Sequence, residues 1–438
     1  MKKVLIISPN YPPVNAADMH RVRQSLPWFR EYGWAPVVIA VDEASIETYS
    51  TDALLLHTLP AGVEVHKVKA WDVKKTRKFG LGALGMRAYF PIKKLGDALL
   101  SRQKVDLVSF STTAFHVMAL GPRWKKKFGV PFVLDFQDPW RSDFYLDKPK
   151  NERPPKFLIS YNIDKYLEKK TVPAADGIIS VSKGYCDAFV SRYPTMRKDR
   201  FRVIPFGVSL RDFEVMEKYV QGVDAVQLKP DKCNIVYVGR GGHDLRFALE
   251  IIFKALAKGL ATGPALFSRL HFWFIGTSYA PPGCGTPTIR PVAEALQVGD
   301  FVTEITDRIP YFQTLFLLTR AKMLLIPGSI DTNYTASKIL PYIVAQKPLL
   351  AVFYRKSSVI DILKDLQFGK TVAFDYPGTS PDDYVDECLS AITTLLGKGG
   401  AEPLTELSRL APYTAETKTQ LQVELFDSIL ESNNPKQL

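Results

Sequence analysis

Lys3-Val4-Leu5-Ile6-Ile7-Ser8, at the head of a 438-residue chain, is short, unbroken in its apolar character and rich in β-branched side chains. A strand buried on both faces of a parallel sheet reads this way, because neither face has to be polar. Outward from it the chain turns through Pro9-Asn10-Tyr11-Pro12-Pro13. It then takes up helical spacing over 19–32, with Val22, Leu26, Trp28 and Phe29 as apolar positions, and returns to an apolar run at Pro36-Val37-Val38-Ile39-Ala40-Val41. The order is strand, loop, helix, strand, and it recurs. Further strands are predicted at 105–110, 131–136, 177–182 and 201–205, with helical stretches from Ala114 onward and up to Tyr193. Strands alternating with helices make a parallel α/β sheet.

Residues 213–232 are polar, end in Pro230-Asp231-Lys232 and read as a linker. The scheme then restarts, with strands predicted at 233–239, 270–276, 323–327 and 348–352. The fold class is therefore α/β, two Rossmann-like domains whose strand ends are expected to face a central cleft. The expected boundaries are 1–212, a linker over 213–232, 233–415, and a closing helix within 416–438 carried by Leu421, Val423, Leu425, Phe426, Ile429 and Leu430.

Composition narrows the function. A hydrophobic fraction of 46% can fill large cores and excludes a disordered chain, and Gly 27 and Pro 31 exclude low-complexity and collagenous classes. No run approaches the ~18 apolar residues of a membrane span. The opening run is shorter than a leader-peptide core and has no small-residue cleavage site after it, so a soluble, cytoplasmic protein is expected. Cys186, Cys233, Cys284 and Cys388 form no paired motif for zinc or redox chemistry. The net charge of +12 is uneven: residues 1–200 hold 33 basic against 20 acidic side chains, and the remainder is nearly balanced. Nucleic acid, anionic lipid or an acidic substrate would each suit such a half, as would solubility alone.

Six segments, in order, resemble a retaining GT-B glycosyltransferase of the family-4 type. The first strand with Pro12-Pro13 and Arg21-Val22-Arg23-Gln24 resembles that family's opening strand, loop and helix. Val133-Leu134-Asp135-Phe136-Gln137-Asp138-Pro139-Trp140 resembles its D-x-x-D-P-W loop. Ala175-Asp176-Gly177-Ile178-Ile179-Ser180-Val181-Ser182 and Val203-Ile204-Pro205-Phe206-Gly207-Val208 resemble the close of its first domain. Tyr237-Val238-Gly239-Arg240 resembles the opening of its second. Ala336-Ser337-Lys338-Ile339-Leu340-Pro341-Tyr342, with Ala345-Gln346-Lys347-Pro348, resembles its Ser-Lys helix. Three departures stand out. The small-residue loop is Asn15-Ala16-Ala17 instead of Gly-Gly, the first domain ends Phe206-Gly207-Val208-Ser209, and the two glutamates of the E-x7-E donor pair fall on Asn333 and Pro341.

The resemblance implies a nucleoside-diphosphate sugar as donor, a glycan or lipid-linked acceptor, no cofactor and no metal. Charge building on a departing diphosphate calls for cations or N–H donors. Arg240, Arg246 and Lys338 are candidates for that role, with Ser337 and Lys338 at a helix start and Gly239 and Gly276 letting backbone approach the ligand. Asn333 is a candidate for the ribose that Pro341 cannot hold. For the transferred sugar and the acceptor the candidates are His116, Asp135 and Asp138, with Asn15 and Arg21 on the first loop. Each has a plain structural alternative: a surface arginine, a solvated lysine, a packed histidine, or aspartates that cap a helix or pair with Arg141. No Asp-x-Asp triplet of the metal-dependent transferases occurs, and no G-x-G-x-x-G of nicotinamide enzymes. Lys67–Lys104 interleaves Lys67, Lys69, Lys74, Lys75, Arg77 and Lys78 with Phe79, Leu81, Leu84 and Phe90. That mixture suits peripheral contact with an anionic membrane, Lys125-Lys126-Lys127 adding to it, better than nucleic acid, whose binding motifs are missing. Two rivals remain: a non-catalytic GT-B partner with a degenerate donor site, and a nucleotide-sugar 2-epimerase.

Overall fold

The computed structural model describes residues 1–438 except 48–49, 142, 144, 147, 154–155, 221–225, 331–337, 398–406 and 434–438. The chain divides into two compact units. Unit 1 is Met1–Ser209 with Tyr413–Leu438, and unit 2 is Leu210–Pro412. Unit 1 holds β1 (Lys2–Ile7), β2 (Trp34–Val41), β3 (Glu64–Val68), β4 (Leu107–Ser111), β5 (Phe132–Phe136), β6 (Gly177–Ser180) and β7 (Phe201–Val203). Unit 2 holds β8 (Cys233–Val238), β9 (Leu270–Ile275), β10 (Val302–Ile305), β11 (Met323–Pro327), β12 (Leu349–Tyr354) and β13 (Lys370–Phe374). The sheet orders are β3-β2-β1-β4-β5-β6-β7 and β10-β9-β8-β11-β12-β13. Every described pairing within them is parallel.

Both orders begin 3-2-1-4-5-6 when counted within the unit. The direction of winding reverses between β1 and β4, and again between β8 and β11. At such a switch point the two loops leaving the strand ends diverge and open a place for a ligand. The strands are covered on both faces. In β1, Leu5 and Ile7 enter one core with Phe110 and Trp124, while Val4 and Ile6 enter the other with Trp34 and Phe426. Side chains alternate across a strand, so two apolar cores require an unbroken apolar strand. Packing is close where helices meet: a Cβ on Gly96, in the helix Leu84–Arg102, would lie 2.3 Å from the Trp124 ring.

The expected linker is corrected. Its first part is the helix Leu210–Tyr219, which packs on Tyr311–Arg320 within unit 2. Phe213, Met216 and Val220 are buried at helical spacing, and Asp212 accepts a 2.7 Å hydrogen bond from Tyr311. The boundary therefore falls at Ser209. The chain returns to unit 1 at Tyr413, where Val208 pairs with Thr414 and the helix Ala415–Asn433 stacks Phe426 on Phe29. Three strands not predicted from the sequence, β3, β10 and β13, are all sheet edges. Their outer faces are wet and their residues mixed, so they lack the apolar run that marks a central strand.

Candidate functional site

In unit 2 the site grows from the end of β8. Gly239 is a close-approach position: a Cβ there would lie 2.0 Å from Lys338 Nζ. Gly242 (φ +142°) has a backbone that favours glycine. Between them Arg240 grips Asp244 with both terminal nitrogens, at 2.8 and 2.6 Å. Partial burial of Asp244 works against its charge, but hydrogen bonds from Arg240 and Ser329 prevail and hold its carboxyl below the ordinary value. Ser329 lies just past β11, and Ile330 N–H donates to the Asp244 carbonyl at 3.1 Å. Asp244 thus ties together the loops that follow β8 and β11, the two strands of the switch point.

Lys338 is the N-cap residue of the helix Ile339–Val344. Tyr342, one turn on, fixes that helix to the end of β8: its hydroxyl accepts from Val238 N–H at 2.7 Å and donates to the Val238 carbonyl at 3.1 Å. Lys338 Nζ donates to Tyr237 Oη at 2.8 Å and lies 4.6 Å from that ring's centroid, and Tyr237 Oη donates to the Arg240 carbonyl. Desolvation, with the charges of Arg240 and Arg308, lowers the Lys338 pKa to about 7. Arg308 follows β10 and lies over the Tyr279 ring at 4.9 Å. Desolvation first, and then the charges of Arg240 and Arg308, therefore disfavour the charged form of Lys338 at the strand ends, and an anion placed there would favour it. Gly276 takes a left-handed backbone (φ +74°) beside Arg308.

Arg246 is elsewhere in character. It opens the helix Arg246–Thr262, is 67% exposed, and pairs with Glu250 one turn on at 2.7 Å. Asn333 and Ser337 lie outside the described residues. Pro341 sits in the first turn of its helix, where a missing N–H leaves no intrahelical bond unmade.

In unit 1 the switch-point loops are joined by Asp18. Its carboxylate accepts from Asn10 Nδ2 at 2.9 Å and 3.1 Å, and from Thr112 Oγ1, Thr113 N and Thr113 Oγ1 at 3.0–3.1 Å. Gln137 donates to the Asp18 carbonyl. Arg21 and Asp135, expected in separate roles, are bound to each other: Arg21 Nε lies 3.0 Å from Asp135 Oδ2, and each side chain is 2% exposed. Arg21 also donates to the Ile204 and Pro205 carbonyls, and Ser111 donates to Asp135 at 2.6 Å. Asp135 is thus enclosed in an ion pair. Asp138 is exposed by comparison. Crowding by protein atoms and the Asp18 charge both raise its pKa, so it holds a proton more readily than an ordinary aspartate. His116 turns Nε2 to Asp164 at 3.1 Å, and its Nδ1 lies beside Gly85, where a Cβ would be 3.1 Å away. Asn15 is partly buried, its N–H held by the Ser50 carbonyl.

The structure therefore brings Gly239, Arg240 and Lys338 together in unit 2, and Arg21 and Asp135 in unit 1. Sequence reading passed over Asp18, Asn10, Tyr237, Asp244 and Arg308. Only Asp244 left a local signal, four residues after an arginine on a helical approach. Among the described residues no group of three or more His, Cys, Asp or Glu side chains has metal-holding geometry, and no helix is long and apolar enough to cross a membrane.

Residues 60–212 match the model of Glycosyltransferase Family 4. No curated protein sequence matches the chain significantly. Among solved structures the chain is similar to the Anabaena protein HepE in complex with UDP-glucose, at 13% identity over 98% of this chain and 100% of that one, with a TM-score of 0.58. It is similar to an α,α-trehalose-phosphate synthase (UDP-forming) from Burkholderia vietnamiensis, at 14% identity over 99% and 98%, TM-score 0.59. It is also similar to WaaG, a glycosyltransferase involved in lipopolysaccharide biosynthesis, at 13% identity over 98% and 99%, TM-score 0.51. The chain shares the GT-B fold of these structures, and its segment 60–212 matches the Glycosyltransferase Family 4 model.

Proposed function

We propose that the protein is a retaining glycosyltransferase that moves a hexose from a nucleoside-diphosphate sugar to a glycan or lipid-linked acceptor. The observation that carries this reading is the desolvated Lys338 beside Gly239 and Tyr237, with the charges of Arg240 and Arg308 acting on it, at the strand ends of unit 2. A diphosphate is the anion class such a set suits. As the glycosidic bond breaks, charge accumulates on the departing diphosphate, and cations already in place stabilise that charge without reorganising. On this reading no metal is needed, because the three side chains supply its charge. Ser337 and Asn333 are the proposed partners for phosphate and ribose from the neighbouring segment, and the Gly239 and Gly276 turns let backbone meet the ligand. Arg246, exposed and paired on its own helix, is left to steer the donor from outside.

Unit 1 is proposed to meet the acceptor. Asp138, exposed and with a raised pKa, is the carboxyl suited to orient or share a proton with an acceptor hydroxyl. Asp135 and Arg21 act by positioning the loop after β5, and Asn15 lies on the adjoining loop. His116 is proposed to border the transferred sugar, its ring orientation fixed by Asp164. The basic and apolar stretch Lys67–Lys104 is proposed to touch an anionic membrane on the cytoplasmic side, which suits envelope polysaccharide or glycolipid assembly.

A non-catalytic partner is the second reading, favoured by Pro341 where the family's ribose-binding carboxylate stands. One assay separates the two: release of nucleoside diphosphate from a panel of nucleotide sugars, with cell-derived lipid acceptor added. Transfer from at least one donor is expected, with no gain in Pro341→Glu. Absence of release from every donor, together with new nucleotide binding by Pro341→Glu, would establish the non-catalytic reading instead.

A further inference from the structure

The helix Phe157–Thr171 exposes a stripe of apolar side chains on its outward face. Its inward face sets two acids beside partly buried Phe157, Tyr161 and Leu167: Asp164 receives Trp140 Nε1 at 3.2 Å and faces His116, and fully buried Glu168 is held by Arg192 and Tyr193. Its outward face carries three exposed apolar side chains, with exposed Asn162 among them. Ile159, Ile163 and Tyr166 follow one another at four and three residues, which aligns them on one stripe, and Ile159 and Tyr166 are 63% and 62% exposed. Lys165, Lys169 and Lys170 border the stripe, all exposed, and no acidic residue of the helix points outward. An exposed apolar stripe rimmed by charged side chains is the pattern of an interaction surface.

A second apolar point lies nearby. Phe79 is 81% exposed, and Trp71 stacks on the exposed ring of Phe90 at 5.2 Å, among Lys74, Lys75 and Lys78. His116 connects the two regions. Its Nδ1 abuts Gly85, at the start of the helix that Phe79 precedes, and its Nε2 meets Asp164, midway along Phe157–Thr171. Both apolar surfaces therefore flank the short segment that follows the end of β4.

We propose that the outward face of Phe157–Thr171 is a second membrane foot, inserting Ile159, Ile163 and Tyr166 into an anionic bilayer surface while its lysines meet the headgroups. The inference rests on the proposed membrane contact of Lys67–Lys104 and adds to it a surface that contact does not include. Lysines around an apolar stripe complement negative headgroups above an acyl layer. With one foot on each side of His116, the bilayer would be presented to the strand ends where a lipid-linked acceptor has to arrive.

The test is sedimentation with vesicles of phosphatidylcholine mixed with phosphatidylglycerol, and with phosphatidylcholine alone. Three full-length proteins are compared: wild type, I159S/Y166S, and K74Q/K75Q/R77Q/K78Q. Wild type is expected to sediment with the anionic vesicles. I159S/Y166S should bind them about tenfold or more weakly, with its thermal midpoint unchanged because both side chains are exposed. Binding by I159S/Y166S equal to wild type, while the basic variant loses it, overturns the second foot and leaves the first standing. Wild type failing to bind anionic vesicles overturns the membrane contact as a whole. A dimer broken to monomer by I159S/Y166S with lipid binding unchanged would assign the stripe to a second copy of the chain, and would equally overturn the proposal.

Discussion

Arg21→Ala is expected to destabilise unit 1 by about 3–5 kcal/mol. The Asp135 carboxylate would be left charged and enclosed with its cation gone, 2% exposed and reached only by neutral donors such as Ser111. The same substitution releases the Ile204 and Pro205 carbonyls, which join the last strand of the sheet to the first helix. Adding Asp135→Asn should recover part of the loss, because it removes the stranded charge. Guanidinium unfolding followed by tryptophan fluorescence reads this directly, since all the tryptophans except Trp273 belong to unit 1. A loss below about 1 kcal/mol would mean the pair contributes no more than a surface salt bridge. Asp135 would then be available for chemistry.

Nucleotide binding is expected to take up a proton through Lys338. Its pKa of about 7 lies below the ordinary 10.5, so above pH 7 the free protein holds it increasingly as the amine. A diphosphate beside it restores the charged form, and the proton comes from solvent. Affinity should therefore fall as pH rises from about 7.5 to 9, by up to about tenfold per unit. A nucleotide's terminal phosphate, with a second pKa near 6, is already ionised in that window. The sign for stability is the reverse. Protonated Lys338 costs the folded state its desolvation in full below pH 7, and the cost fades as pH rises toward 10.5. Calorimetric titration in two buffers of different ionisation enthalpy measures the uptake. Lys338→Met should bind more weakly and without it, and an equal uptake in Lys338→Met would assign the proton to another group.

What could be read from the sequence follows from burial. β1, β2, β4, β5, β8, β9, β11 and β12 are mainly apolar because both of their faces are buried, and such runs admit few other readings. β3, β10 and β13 could not be read this way, since an edge strand is half solvated and its composition is that of a loop. Leu210–Tyr219 was hidden by its charges, although Phe213, Met216 and Val220 keep helical spacing. At the site, Gly239, Arg240 and Lys338 stood out because they lie at strand and helix ends. Their supports did not. Tyr237 and Tyr342 look like ordinary core aromatics until the helix Ile339–Val344 is laid against β8. Asp135 and Asp138 show the limit most plainly. Two aspartates three apart at the end of one strand look alike in sequence, yet Asp135, inside β5, is enclosed with Arg21, and Asp138, beyond it, is exposed with a raised pKa.

Arg240 and its neighbours are proposed to hold the diphosphate of a nucleotide sugar. Titrating UDP, GDP, ADP and TDP into wild type and Arg240→Ala tests it most directly, with thermal unfolding of both proteins as the control for folding. Arg240 contributes two nitrogens that now hold Asp244, and a phosphate would compete with that carboxylate for them. At least one of the four nucleotides should bind wild type, and Arg240→Ala should weaken it by about 1.5–3 kcal/mol, the loss of one charge-assisted hydrogen bond or more. Binding that Arg240→Ala leaves unchanged, or no binding of any of the four to wild type, would contradict the account.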